Sequence, residues 1–259
     1  MIMAAKILRG SLVLATLILT CASVSPVFAE VKRVYGKAFN QKGQLEYVEA
    51  HALTYENDRI VAIETTFFDA DSRKIASQVS EFTHGPQFGS YDFRDERHRY
   101  NDGARVMSDR ILLYTKKNPE ADTKRTYLAK KPDQIVGQGF YQFMAANLDS
   151  LARGKSISAK LVLPAQMNQY DVRIRKQHLE DNRLQLVVEL DNWFLRLFTP
   201  NVQVEYDLKS RRLLWYRGIS MVPNKENKSV DVVTTYDYHQ PPSMLGFRAD
   251  QGTASSMRN

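Results

Sequence analysis

The sequence predicts a mainly β protein, built as a single curved antiparallel sheet or open barrel of about ten strands with one α-helix packed on its concave side. Three observations lead to this fold class. Apolar and polar residues alternate with a period of two over most of the chain, which is typical of half-buried strands. Turn-forming residues separate these rows at short intervals. One segment repeats its apolar residues at helical spacing instead.

Alternating rows indicate the strands. In the amino-terminal half they lie near 45–55, 59–68, 74–82, 88–100 and 105–114, and in the carboxy-terminal half near 170–175, 184–190, 202–208 and 230–238. Val202, Val204 and Tyr206, for example, share one face of a strand, while Gln203 and Glu205 share the other. Rows joined by short turns pair as antiparallel neighbours, so we expect one sheet of about ten strands.

Polar turns join these rows. Asn101-Asp102-Gly103 is the strongest hairpin signal, because Asn and Gly accept the left-handed backbone of a tight turn. Other turns are expected at 56–58, 180–182 and 224–227. The segments 68–75 and 206–213 share a pattern of aromatic, Asp, two residues, Ser, Arg, basic and aliphatic residues. A duplicated ligand loop would produce it, but two hairpins with the same Asp and Ser bonds to backbone amides explain it better.

The helix is predicted over 134–152, with Asp133 as its N-cap and Gly154 as its C-cap. Gly137 and Gly139 weaken its first turn and would allow another backbone to approach closely. Its apolar face is wide and aromatic, so it needs a covering surface, which in an antiparallel β protein is the open concave face of the sheet.

Residues 1–29 read as a secretory signal peptide. Lys6 and Arg9 precede an uncharged apolar stretch, and cleavage is expected after Ala29. The stretch is about 15 residues long, short of the roughly 20 that span a bilayer, so an uncleaved anchor is the alternative. A periplasmic location follows from this interpretation. Lipid anchoring at Cys21 is less favoured, because the residues before it are not small.

Cleavage would leave one β-rich domain at 30–240 and a polar, disordered tail at 241–259. Removal of Lys6 and Arg9 lowers the formal net charge from +7 to +5, and the remaining charges of both signs are interleaved. Such a surface does not indicate a nucleic-acid partner. Cys21 is the chain's one cysteine, so the mature protein has no disulfide and no thiol nucleophile.

Motifs for catalysis are not found. The five histidines lack metal-ligand spacing, so no metal and no cofactor are predicted. No Gly-x-Ser-x-Gly segment is present. The charged stretch 92–99 contains Asp95, Glu96 and His98, which could do acid–base work, but a solvated strand end explains it better. A hydrolase of unrecognised type is the third function hypothesis, and the expectation is that the protein is not an enzyme.

Aromatic residues nominate a ligand site. The non-alternating run 191–200, DNWFLRLFTP, has apolar residues on both faces of the chain. An apolar cavity between sheet and helix could hold a ligand, while an ordinary core would explain the same residues. The candidate ligand-binding residues are on the helix and in the carboxy-terminal strands: Phe140, Phe143, Met144, Trp193, Phe194, Phe198 and Trp215.

A resemblance is carried by the segment 191–238, which includes NWFLRLF at 192–198, YDLKSRRLL at 206–214 and YRGIS at 216–220. This segment resembles a family of uncharacterised exported β-rich proteins of Gram-negative bacteria, and the architecture is similar to the half-barrels of periplasmic lipoprotein carriers. The second resemblance implies a curved sheet, a helix in its concavity and an acyl-chain ligand.

The favoured hypothesis is therefore a non-catalytic periplasmic protein that binds a lipid-like or other apolar envelope ligand. The alternative is an interaction or scaffold module that meets another envelope protein through an exposed strand edge or apolar patch, without a small ligand. No transmembrane span is expected after cleavage.

Overall fold

The structure, a computed structural model, describes residues 29–191 and 201–243. The predicted signal peptide up to residue 28, Cys21, and the predicted tail from residue 244 lie outside the described residues, as do residues 192–200 of the aromatic run. The predictions made for these segments remain predictions.

Fifteen strands and one α-helix make up the described residues. The strands are β1 (Glu30–Asn40), β2 (Leu45–Glu56), β3 (Arg59–Phe68), β4 (Lys74–Glu81), β5 (Ser90–Asp95), β6 (Tyr100–Val106), β7 (Arg110–Lys116), β8 (Lys124–Ala129), β9 (Gln134–Val136), β10 (Ile157–Leu163), β11 (Asn168–Glu180), β12 (Arg183–Leu190), β13 (Val202–Asp207), β14 (Leu213–Ile219) and β15 (Asp231–Asp237). The helix α1 spans Gly139–Ala152, and a short 3₁₀ helix spans Pro164–Gln166.

All fifteen strands belong to one sheet, in the order β8-β7-β6-β5-β4-β3-β2-β1-β15-β14-β13-β12-β11-β10-β9. Two meanders, β1–β8 and β9–β15, are joined by the antiparallel pair of β1 with β15. Every pairing is antiparallel except that of β9 with β10. The topology follows the chain locally, because short turns connect most neighbouring strands.

The sheet curves around α1. Met144, Leu148 and Leu151 are fully buried in one core cluster with residues of β10–β14. At the other end of the helix, Gln138 is hydrogen-bonded to Thr65 on β3 and Ser80 on β4. Since β3 and β4 lie in one meander and β10–β14 in the other, both arms reach the same helix, which therefore lies on the concave face.

The two ends of the sheet overlap at a seam, formed by β9 and the segment before β5. The Val136 amide donates to the Gln87 carbonyl at 2.9 Å, and the Val136 carbonyl accepts from the Gly89 amide at 3.2 Å. Phe88 packs there with Val136 and Val162 in a core cluster that also contains residues of β6 and β7. One isolated bridge, between Phe88 and Val136, links the β9 end of the described sheet to the segment before β5, so the sheet rolls up without closing.

The predicted class is confirmed as mainly β with one helix and a single open sheet, but the predicted number of about ten strands is wrong. The alternation of apolar and polar residues did not predict β1, whose first residues are exposed and whose alternation is interrupted by Gly36. It also missed β8, an edge strand that is exposed along most of its length, and β9, which has only three residues. The strands β10 and β14 were not among the predicted rows either. Alternation is weak in strands of these kinds.

The predicted hairpin at Asn101-Asp102-Gly103 is also wrong, because these residues lie within β6. The turn falls at 96–99, where the buried Asp95 carboxylate accepts hydrogen bonds from the amides of Arg97 and His98. A Cβ on Gly103 would lie 2.2 Å from the Tyr91 carbonyl oxygen. Gly103 is therefore needed for close packing and not for a turn.

The helix begins five residues later than predicted. Ile135 and Val136 form β9, and Gln138 stands at the N-cap position in place of Asp133. Gly137 turns the chain with a φ of +54°, and a Cβ on Gly139 would lie 2.2 Å from the Gln87 carbonyl oxygen. The close backbone approach predicted for these glycines is confirmed. The C-cap is Arg153 in place of the predicted Gly154, which follows it with a φ of +88°.

The similar segments 68–75 and 206–213 are hairpin turns, as predicted. Asp69 accepts hydrogen bonds from the amides of Asp71 and Arg73, and Asp207 accepts from the Ser210 amide. Hydrogen bonds from the Ser210 hydroxyl and amide keep the pKa of Asp207 below its ordinary value. The shared pattern is explained by shared turn chemistry.

Candidate ligand-binding cavity

A cavity of about 1370 Å³ lies between α1 and the concave face of the sheet. Residues of β1–β3 and β13–β15, the loop after β4 and the first two turns of α1 line it. Small-molecule sites in proteins usually have volumes of roughly 300–1,000 Å³. This helix–sheet cavity is large enough for an extended ligand.

Aliphatic and aromatic side chains form its walls. Val34, Leu53 and Ile63 contribute from β1, β2 and β3, Phe82 from the loop after β4, and Leu213 from β14. Ala145 and Ala146 face the cavity from the helix, and their small side chains leave space where larger ones would fill it. The walls offer an apolar surface against which a hydrocarbon chain could be buried.

A continuous chain of hydrogen bonds runs behind one wall. Its members, in order, are Gln78, Ser80, Gln138, Thr65, His51 and Glu49, with distances between 2.8 and 3.1 Å. Of these, Gln138 and His51 line the cavity. The chain joins β2, β3 and β4 to the start of the helix and so fixes the position of α1 over the sheet.

The hydrogen-bond chain also assigns the protons on His51. His51 Nε2 lies 2.9 Å from the Glu49 carboxylate, which can only accept, so Nε2 carries a proton and donates it. On neutral His51, Nδ1 is then an acceptor, and the Thr65 hydroxyl, which also accepts from Gln138 Nε2, donates to it. Both ring nitrogens are therefore engaged, and in this arrangement His51 acts as part of the wall.

Three tyrosines, one buried and two half-buried, surround the same space. Tyr141 lies on α1, Tyr206 on β13 and Tyr236 on β15. Burial raises the pKa of each hydroxyl well above its ordinary value, and for Tyr141 and Tyr236 the nearby Glu49 adds to the effect. Burial also raises the pKa of Tyr238 to about 12. These hydroxyls are protonated near neutral pH and act as hydrogen-bond donors.

Two donors in the lining have no hydrogen-bond partner among the described residues. They are the Tyr206 hydroxyl and Gln142 Nε2. The Tyr206 side chain is 1% exposed, so bulk water does not replace the missing partner. A buried polar group without a partner is unfavourable by about 1–3 kcal/mol, which makes both groups candidates for contact with a bound molecule.

The mouth of the cavity is cationic. Its lining includes five basic side chains and one acidic side chain, Asp58; the basic residues are Lys32, Arg33, Arg59, Arg211 and Arg212. We call the five basic residues the cationic mouth. A concave surface lined by charge of one sign attracts ligands of the other sign.

The basic groups at the mouth differ in their partners. Arg211 is bound to the Asp149 carboxylate and the Ala145 carbonyl oxygen of α1. Lys32 lies 4.6 Å from the centre of the Tyr55 ring and 3.2 Å from the exposed Glu30 carboxylate. Arg212 lies 4.8 Å from the centre of the Tyr238 ring. Within the described ranges, Arg59 and Arg212 form no ion pair.

The residues predicted as ligand-binding lie elsewhere, as far as they are described. Met144 is fully buried in the core cluster under the helix, and Phe140 and Phe143 pack against that cluster. Trp215 is half-buried on β14, next to Tyr216, and does not line the cavity. Trp193, Phe194 and Phe198 lie outside the described residues. A ligand contact for these residues stays a prediction.

The inward face of β2 carries a sequence pattern that indicates the cavity, although the aromatic residues did not. The inward face of β2 carries Tyr47, Glu49, His51, Leu53 and Tyr55. A purely structural inner row would hold apolar residues in place of Glu and His. Polar residues at core positions of an otherwise regular strand therefore point to the wall of a functional cavity.

The described residues form neither a metal-binding cluster nor a membrane-spanning helix. No group of three or more His, Cys, Asp and Glu side chains is placed to hold a metal ion there. Within residues 29–191 and 201–243, no helix has the length and apolar character needed to cross a membrane.

Comparison with models of known protein families gave no match, and comparison with curated proteins gave none either. Among solved structures, a match is the crystal structure of a β-barrel-like protein of domain of unknown function DUF1849 from Brucella abortus. The match covers 83% of this chain and 100% of that chain, with 10% sequence identity and a TM-score of 0.29. At this level of likeness, the cavity has to be interpreted from its own residues.

Proposed function

We propose that this chain is a non-catalytic binding protein that holds a lipid-like or other apolar ligand in the helix–sheet cavity. The observation that carries the proposal is the size of the cavity, about 1370 Å³, together with its aliphatic and aromatic walls. Burial of each methylene group of a ligand contributes roughly 0.8 kcal/mol, so an acyl chain needs few polar contacts to bind.

The arrangement of polar groups supports binding without chemistry. His51, the histidine in the lining, uses both ring nitrogens in bonds to Glu49 and Thr65. The Thr65 hydroxyl already bonds to both Gln138 and His51, so it is not free to act on a ligand. A nucleophile and its base need an open approach to a reacting atom, which these groups lack.

The proposal includes a place in the cell. The signal peptide expected at residues 1–29 would export the chain to the periplasm of a Gram-negative bacterium. An apolar molecule that crosses this aqueous space needs a covered site, and a cavity between a helix and a sheet would supply it.

The first experiment looks for the ligand. The mature protein is purified, extracted with organic solvent, and the extract is analysed by mass spectrometry; binding of a fluorescent fatty acid is then measured by titration. We expect a co-purified lipid and saturable binding. A protein free of lipid that also fails to bind the probe would contradict the proposal.

A cavity-filling variant tests the location. Ala145 lines the cavity from the helix, so Ala145→Trp places a large ring in the ligand's space. We expect affinity for the fluorescent fatty acid to fall by at least about tenfold, because the ring excludes several methylene groups. Ala129→Trp is the matched control, since Ala129 is exposed at the end of β8 and outside the lining. Equal effects of both changes would place the ligand elsewhere.

A second candidate function, a scaffold module without a small ligand, has one observation in its favour. β8 is an edge strand of the sheet, and Tyr127 on it is 57% exposed. An edge strand presents unpaired backbone groups to a partner strand. Crosslinking in intact cells followed by recovery of the protein would test it: a partner lost on Tyr127→Lys would favour this function, and unchanged recovery would not.

A further inference from the structure

We infer that the ligand is an anionic amphiphile, an acyl chain with an acidic head group that lies in the cationic mouth while the chain fills the helix–sheet cavity. This inference rests on the proposed function and names the chemical class of its ligand.

The charge at the mouth of the cavity is the first reason to expect an anionic head group. Five basic side chains and one acidic side chain line it, and Arg211 is already neutralised by Asp149. Arg33, Arg59 and Arg212 are left without a carboxylate partner in the described residues, and Lys32 has only the exposed Glu30. Like charges gathered at one opening repel each other, and an anionic group placed between them removes that repulsion.

Aromatic contacts hold two of these cations in place. Lys32 lies over the Tyr55 ring and Arg212 over the Tyr238 ring, and both act electrostatically on the Tyr55 hydroxyl. Lys32 and Arg212 therefore occupy the same corner of the mouth. Stacking on rings restricts the side chains without neutralising them, so their charges remain available to a ligand.

The two unpartnered donors are the second reason, because they call for a hydrogen-bond acceptor on the ligand. The Tyr206 hydroxyl and Gln142 Nε2 are buried in the lining, on opposite sides of the cavity, one on β13 and one on α1. Both groups donate, and the Tyr206 hydroxyl does not ionise near neutral pH because burial raises its pKa. The group that satisfies them is a hydrogen-bond acceptor, such as a carbonyl or carboxyl oxygen near the head of the ligand.

The charge at the mouth and the unpartnered donors together exclude a neutral hydrocarbon and a free inorganic anion as the ligand. A neutral hydrocarbon would fill the walls but leave the mouth charged and the donors unpaired. A free anion such as inorganic phosphate would neutralise the mouth but leave about 1370 Å³ without apolar contacts. An amphiphile with an acidic head satisfies both regions.

The test compares two probes with the same chain. A fluorescent long-chain fatty acid and its methyl ester are titrated into the delipidated mature protein at low salt. The acid is expected to bind about tenfold more tightly, since a few exposed ion pairs contribute that much. The preference should shrink as salt is added, because exposed charges are screened.

Variants then locate the preference. The triple variant Lys32→Gln, Arg59→Gln and Arg212→Gln should lose most of the preference for the acid over the ester. The matched control removes three exposed basic groups outside the lining, with Lys37→Gln, Arg105→Gln and Arg125→Gln. This control should keep the preference, since it changes the net charge by the same amount.

Tyr206→Phe tests the unpartnered donor. The variant removes a hydroxyl that makes no hydrogen bond in the described protein, so it should fold and melt at the same or a higher temperature. Its affinity for the fatty acid should nevertheless fall several-fold. Unchanged affinity would overturn the role given to Tyr206.

The outcomes separate the inference from the function on which it rests. If neither probe binds, the proposed function fails. If both probes bind equally and the triple variant behaves like the wild type, the ligand is not anionic, while the binding function stands. If inorganic phosphate displaces the acid but not the ester, the mouth is a site for a free anion, and the amphiphile is the wrong class.

Discussion

Asp102 shows how the interior of this protein treats a single charge. It lies on β6, it is 7% exposed, and its carboxylate accepts a hydrogen bond from the Tyr100 hydroxyl at 2.9 Å. Burial raises the pKa of Asp102 from its ordinary 3.8 to about 6, and the nearby Asp92 adds to the rise. The hydrogen bond from Tyr100 lowers the pKa but does not outweigh burial.

This raised pKa predicts a pH-dependent stability. The folded protein keeps the Asp102 proton up to about pH 6, whereas the unfolded chain loses it near pH 4, so the free energy of unfolding falls as the pH rises between these values. Asp102→Asn keeps the acceptor for Tyr100 and removes the charge. We expect it to raise the free energy of unfolding at pH 7 by about 2 kcal/mol.

Urea denaturation at several pH values checks this. The gain should grow from about pH 4 to about pH 6 and then stay constant. Asp109→Asn, at an exposed position in the turn before β7, is the control and should show no such growth. A gain or loss that does not vary with pH would mean that folding does not raise the pKa of Asp102.

Neighbouring residues on α1 show why the site could be predicted only in part. Phe140, Phe143 and Met144 were chosen because they are large and apolar, yet these properties also suit a core, and the structure packs them there. Tyr141, Gln142 and Ala145 are adjacent in sequence but face the cavity. Which side of a helix turns toward the core depends on its rotation about its axis, and the sequence pattern does not determine that angle.

At the scale of elements, the start of α1 depends on one glycine. A Cβ on Gly139 would lie 2.2 Å from the carbonyl oxygen and 2.4 Å from the carbonyl carbon of Gln87. Both are backbone atoms that are held by the bond from the Val136 amide to Gln87. The helix can therefore begin here only because residue 139 has no side chain.

Gly139→Ala is expected to destabilise the protein, although alanine favours helices more than glycine does. Ala is the better helix former by about 1 kcal/mol, yet Gly139→Ala should lower the free energy of unfolding by about 1–3 kcal/mol, because the backbone must move apart. Denaturant titration measures the change. Gly43→Ala is the comparison: its φ is +74° with no atom within 4 Å, so it should lose about 1 kcal/mol or less. A stabilised Gly139→Ala protein would show that the seam is looser than described.

Strands were predicted best where the alternation is regular. The limits of β3 match the prediction, since Ile63, Thr65 and Phe67 on its inner face are buried while Glu64 between them is exposed. Gly103 misled the prediction, because glycine serves turns and close packing equally well in sequence. Here the Tyr114 hydroxyl lies next to Gly103 and bonds to the Asp92 carboxylate. That long-range contact decides the role of the glycine, and it becomes visible only when strands are paired.

At the scale of the whole molecule, the rolled sheet is what creates the cavity. Local patterns predict strands and their antiparallel neighbours, but they do not give the curvature of fifteen strands. The curvature comes from contacts between distant parts of the chain, such as Gln138 with Ser80 and Phe88 with Val136. An open, rolled sheet leaves room on its concave side, and a single helix of 14 residues does not fill it.

The seam predicts that β9 can separate from the segment before β5 while the other strands of the sheet stay paired. Phe88 is 7% exposed and packs on both ends of the sheet, so Phe88→Ala should remove contacts worth about 3–5 kcal/mol from the seam. The pairings of β1 with β2 and β15 should be unaffected, since no Phe88 contact stabilises them. Hydrogen exchange followed by mass spectrometry should therefore show faster exchange at residues 87–89 and 134–136 than in β1 and β2.

Phe93→Ala provides the contrast for this experiment. Phe93 is 6% exposed, and it packs with Tyr47, Phe67 and Tyr100 inside the amino-terminal arm, away from the seam. Its loss should accelerate exchange throughout that arm, because the core cluster there supports several strands. If Phe88→Ala gives the same even pattern, the ends of the sheet do not separate before the protein unfolds. In that case the seam offers no second opening into the cavity beside the cationic mouth.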